Sequence, residues 1–180
     1  MKKTILGLAI STLFMVGAAQ ATINPNDVSA TLAVTGSVTA TESTCSVTLS
    51  DATVNLTEDI STMVEAGQKP NTLKGVNLSV SGDNSCTDML AQGKLGYKFI
   101  GTPDNVDGST LANSASQETA AKGVGIGIYN MSGEAMSINE DTVTATTSAY
   151  TLQLGLVKLA GQEPTVGAVQ GSLTVQIERL

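Results

Sequence analysis

Past residue 21 the apolar residues of this chain recur at every second position, in short runs separated by turn residues. A two-residue period puts one row of side chains on a core and the other in solvent, which is the signature of half-buried strands. Runs of this kind occupy Ala30–Thr39, continuing toward Cys45–Leu49, then Ala52–Leu56, Gly75–Ser81, Lys94–Ile100, Gly123–Asn130, Tyr150–Ala160 and the last ten residues. About seven strands are expected. No long stretch has helical period; Ser61–Lys69 has room for one short helical turn. Turn residues at 82–84, 102–105 and 130–133 divide the runs, and residues 107–122, polar and small, are expected to form a surface loop. Such a pattern predicts an all-β domain of sandwich type.

The first 21 residues are read apart from that domain. Lys2 and Lys3 precede a mostly apolar run from Ile5 to Val16, and Ala19-Gln20-Ala21 has the form of a cleavage site. This is the layout of a secretory signal peptide, and the run is short for a membrane anchor. The mature chain is then expected to begin near Thr22. Without Lys2 and Lys3, seven basic residues face sixteen acidic ones. An acidic surface argues against nucleic acid or anionic lipid as a partner. For an exported chain the two cysteines, Cys45 and Cys86, read most simply as one disulfide. A metal pair or a redox pair is the alternative, but the chain has no His and no C-x-x-C.

Chemistry has little to stand on. The absence of His removes the commonest general base and metal ligand. No Ser sits in a G-x-S-x-G elbow. The glycine-rich "GVGIGI" reads as a strand, with glycine on an exposed or tightly packed face. No catalytic residue, cofactor or metal is expected. The N-terminal strand poses a separate problem: Leu32, Val34 and Val38 share an apolar face with no hairpin partner nearby, and that face must be covered.

Several segments resemble the pilins of the bacterial chaperone–usher pathway, of the type 1 fimbrial kind. "VTGSVTATESTCSV" is similar to that family's strand leading into its first Cys, with Gly36 at the glycine. "VNLTEDISTM" (54–63) resembles the segment between the cysteines, with Leu56-Thr57 where Leu-Gly often stands. "VNLSVSGDNSC" (76–86) resembles the strand entering the second Cys. "AAKGVGIGIYNMSGEAMSIN" (120–139) is similar to the family's pair of strands, and "GAVQGSLTVQIERL" to its C-terminus. There Gly167 lies fourteenth from the end, Leu173, Val175 and Ile177 alternate, and Arg179 and Leu180 close the chain.

The resemblance implies an incomplete immunoglobulin-like β-sandwich that lacks its last strand. The groove so left would be filled by the N-terminal extension of the next subunit, a form of β-strand addition. It implies three parts: a signal peptide (1–21), a donor-strand extension (22–36) and a pilin domain (37–180). In the donor segment Val28, Ala30, Leu32 and Val34 would enter successive pockets, with Gly36 following; Ala30 stands where the family often has glycine. Gly167, Leu173, Val175, Ile177, Arg179 and Leu180 would form the C-terminal strand at the groove. Arg179 stands at a usually aromatic position, and its aliphatic stem is expected to cover the core edge. The implied partners are other pilins, a periplasmic chaperone and an outer-membrane usher; any host receptor is unspecified. The implied role is a structural subunit of a surface pilus that supports adhesion, reached through the periplasm. A single-domain secreted adhesin or carbohydrate-binding module is the alternative, and Tyr97 and Phe99, sharing parity in one strand, are expected in the core rather than at a sugar site.

Overall fold

A computed structural model describes residues 44–116 and 118–180. The expected signal peptide, the donor segment with Val28, Ala30, Leu32, Val34 and Gly36, and the run Ala30–Thr39 lie outside the described residues.

The strands expected from the two-residue period appear where the apolar rows are longest. They are β1 (Cys45–Leu49), β2 (Lys74–Gly82), β3 (Leu95–Gly101), β5 (Val124–Tyr129), β8 (Tyr150–Lys158) and β9 (Leu173–Arg179). Three short strands join them: β4 (Leu111–Ala112), β6 (Ala135–Met136) and β7 (Thr142–Thr144). One sheet runs β1-β2-β8-β5-β4, with β6 also on β5; the second runs β7-β3-β9. Every pairing between these strands is antiparallel. The sheets face each other across Val76, Leu78, Leu95, Tyr97, Phe99, Ile126, Leu152 and Leu156, all buried. Facing solvent, the second sheet carries Thr142, Lys98 and Glu178, joined by a 2.8 Å hydrogen bond and a 3.8 Å ion pair. Each strand of that sheet thus keeps one wet and one dry row.

Four expectations need correction. Ala52–Leu56 forms no strand, although its inward residues Val54 and Leu56 pack on the core. Ser61–Lys69 holds two separate turns, closed by Thr62 N–H to Asp59 O and Gln68 N–H to Glu65 O, and no helix. Instead a helix, α1 (Asn84–Ala91), contains the second cysteine. Asp83 caps it by accepting from the Cys86 N–H, and it ends at Gly93 in the left-handed region. The 107–122 segment is not purely a surface loop: Thr110, Leu111 and Ala121 are buried within it.

Cys45 and Cys86 are bonded, with Cα atoms 5.5 Å apart, so the start of β1 is tied to the first turn of α1. Asp83 ties the same two elements, accepting from Thr44 N–H at 2.9 Å and Cys86 N–H at 2.8 Å. Those backbone N–H bonds, Thr44 foremost, hold its carboxyl below the usual aspartate range. The glycines of "GVGIGI" sit on the tightly packed face. A methyl group on Gly127 would strike the Tyr129 ring, and one on the adjoining Gly155 would strike Pro70. The segment that crosses this face is fixed by Tyr129 Oη donating to Gln68 O at 2.9 Å, and burial pushes that phenol up to about 12.

Candidate functional site: an open groove beside the C-terminal strand

Among the described residues β9 pairs with β3 alone, in the register Leu95↔Arg179 to Gly101↔Leu173. Its other edge faces a cleft of about 720 Å³. The floor is the apolar row of the first sheet, including Val76, Leu78, Leu152 and Leu156. Leu173 and Val175 stand on one side. The segment 51–58 lines the same cleft. Here Val54, Leu56 and Glu58 are half-buried while 53, 55 and 57 are exposed, so the segment keeps the alternation of a strand. No main-chain hydrogen bond to a described residue joins it to a sheet. Two extended edges thus border one apolar trough.

The trough ends at the strap 167–171, which leads into β9. Gly167 is obligatory there: a methyl group on it would strike the main chain of Ala120 and Ala121. The close approach lets Ala168 N–H reach Thr119 O at 2.7 Å and Ala121 N–H reach Ala168 O at 2.9 Å. Asn113 locks the arrangement. Its Nδ2 donates to Ala121 O and Ala168 O, both at 2.9 Å, and its Oδ1 accepts from Ala115 N–H and Gln170 N–H, both at 3.0 Å. All four capacities of the amide are used.

The expected C-terminal residues divide by place. Gly167, Leu173 and Val175 line the groove. Ile177 packs on the core opposite Tyr97. Arg179 shares the inward parity, opposite Leu95, yet is exposed. Leu180 lies beyond β9, 59% exposed, its N–H donating to Lys94 O at 2.9 Å. Sequence reasoning missed Asn113 and Glu58. Asn113 carries no motif, and Glu58, an acidic residue beside Asp59, gives no sign of burial beyond continuing the parity of Val54 and Leu56.

The trough has little chemistry to offer. Among the described residues no cluster of His, Cys, Asp or Glu could hold a metal ion. Nor is there a stacking platform: Tyr97, Phe99 and Tyr129 are fully buried, and Tyr150 is half-buried with its ring 6.0 Å from that of Tyr97. A second cleft beside the β5–β6 hairpin is lined by polar groups that satisfy one another. Asn130 bonds Glu134 there, and Asp141 accepts from Ser137 N–H.

A two-sheet domain with one sandwich edge open beside its last strand is an incomplete immunoglobulin-like sandwich. The chain belongs to the fimbrial protein family, whose model matches residues 32–178. Among solved structures it is similar to the P pilus rod subunit PapA. That match has 16% identity and a TM-score of 0.56, over 82% of this chain and 98% of that one. It also matches an antigen and type I fimbria protein of Burkholderia pseudomallei, at 13% identity and a TM-score of 0.40, over 74% and 94%. No curated protein sequence matches the chain. At these identities the structural likeness speaks for the fold, and the family match identifies a structural subunit of fimbriae.

Proposed function

We propose that this fimbrial subunit polymerises by donor-strand exchange, residues 22–36 of one copy entering the groove of the next. The observation that carries the reading is that two extended segments without a strand partner among the described residues on that edge, β9 and 51–58, line one trough with an apolar floor. An inserted strand would complete the sandwich and cover Leu173 and Val175. Val28, Leu32 and Val34 supply apolar side chains at the matching period, and burying each is worth roughly 1.5–3 kcal/mol. The joint is head-to-tail and does not close, so it builds a filament. Before assembly the trough needs a temporary occupant, the role of a periplasmic chaperone, with an outer-membrane usher passing subunits to the cell surface. Cys45–Cys86 braces the β1 edge during this exchange.

The test is material sheared from the cell surface and run on a denaturing gel, unheated and then boiled in acid. A ladder that collapses to a single band of the mature chain is expected. Deleting residues 22–36 should abolish the ladder. A monomer released to the medium before heating would favour a self-contained secreted adhesin instead.

A further inference from the structure

The inward row of the groove wall is Val54, Leu56 and Glu58, and its third member is a carboxylate. One oxygen of Glu58 accepts from Thr62 Oγ1 at 3.3 Å. The other, Oε2, is sealed from solvent and has no hydrogen-bond partner among the described residues, so it meets an incoming group only when the side chain turns. A buried acceptor without a donor is costly, and such groups in native proteins call for an explanation. Nothing about the fold demands a carboxylate at this position: an apolar side chain would extend the row that Val54 and Leu56 begin.

We propose that Glu58 is an acceptor reserved for the incoming donor segment of a second copy, and that it selects the register in which that segment seats. The proposal rests on the donor-strand reading above. Residues 22–36 contain no Lys or Arg, so the only cation the segment could bring to Glu58 is the α-ammonium group of a chain that begins at Thr22; every other donor in it is neutral. The group that meets Glu58 is that ammonium, a main-chain N–H, or the side chain of an Asn, Ser or Thr in the segment. The segment also contains a single anion, Asp27. A register that brings Asp27 against Glu58 sets two like charges together and is disfavoured. Apolar side chains alone discriminate weakly between neighbouring seats of equal parity, since each seat buries a similar area. A single fixed acceptor makes those seats unequal.

Filaments grown from a mixture of carbon-13-labelled and nitrogen-15-labelled wild-type subunits provide the first test. Solid-state NMR should transfer magnetisation between Glu58 Cδ of one copy and a nitrogen of residues 22–36 of another. A second label pattern, carbon-13 at Ser and Thr Cβ, detects a hydroxyl partner. Contact in neither overturns the proposal. The second test is the half-time of filament dissociation in detergent at fixed temperature. Glu58→Leu should shorten it about tenfold, the scale of one hydrogen bond to a charged group, while Glu58→Gln, which keeps an acceptor, stays within about threefold. An unchanged or longer half-time for Glu58→Leu overturns the proposal. If that variant does not accumulate, the wild-type NMR contact decides alone. A ladder that survives deletion of residues 22–36 defeats the donor-strand reading itself; loss of the ladder on deletion, with Glu58→Leu behaving as wild type, defeats only the role of Glu58.

Discussion

Asn113 shows how a side chain with no chemical role sets a binding groove. Its amide holds the strap 168–170 against Ala121, and the strap aims β9. Asn113→Ala takes a donor from Ala121 O and an acceptor from the N–H groups of Ala115 and Gln170, while Ala168 O keeps the Ala121 N–H and Gln170 is open to water; it should destabilise the subunit by about 1–3 kcal/mol in denaturant unfolding. Tyr97 is the opposite case. Its ring is fully buried and its hydroxyl has no partner among the described residues. Tyr97→Phe should therefore be neutral or stabilising by about 1 kcal/mol, and a loss of more than that would reveal a hidden bond. Asp104 is 6% exposed. Burial raises its carboxyl, but main-chain N–H bonds from Thr110, Val106, Asp107 and Gly108 outweigh it and leave the group below the ordinary 3.8. A depressed folded value means the stabilisation is complete above the unfolded value and is lost as pH falls through the folded one. Unfolding midpoints measured between about pH 2 and 5 should fall steeply for the wild type and less steeply for Asp104→Asn.

At the scale of elements, the long strands were legible because each combines a two-residue period with a flanking turn, as β2, β8 and β9 do. What escaped was short or lacked a partner. The eight residues of α1 span too few turns to show a period, yet its ends were written in the chain: Asp83 as cap and Gly93 as stop. Ala52–Leu56 has the period of a strand and was read as one; it fails to be one because no described strand lies beside it, a fact that only the tertiary arrangement reveals. The parity of Leu173 and Val175 in the last strand was legible, whereas the strap before them depends on an Asn113 contact made across more than fifty residues. The disulfide was legible from export and cysteine count. Replacing Cys45 and Cys86 together by Ser should cost about 4 kcal/mol for a separation of 41 residues, measured by thermal unfolding. Gly82 should tolerate no replacement, since a methyl group there strikes Thr44 O and lies 2.9 Å from Cys86 Sγ.

At the scale of the whole molecule, the fold is a family sandwich whose second sheet, among the described residues, ends at β9. Gly167→Ala, which forces the strap off Ala120 and Ala121, should disturb the groove from its end and lower surface filament yield severalfold on the sheared-cell gel while the core sheet persists. The order of pairing carries a further consequence. Cys45 pairs with Gly82, Lys74 with Leu154, and Leu95 with Arg179. Apart from the β5–β6 hairpin, hardly any of the ladder is local. Chains built from such distant contacts cross a high entropic barrier and fold in milliseconds to seconds rather than microseconds. β9 must find β3 across most of the domain, and on its far edge no described strand rewards its arrival. A strand lent by another protein at that moment would act as a template, shortening the search by offering β9 a second neighbour at once. Assembly factors would then govern how fast this chain folds as well as where it goes.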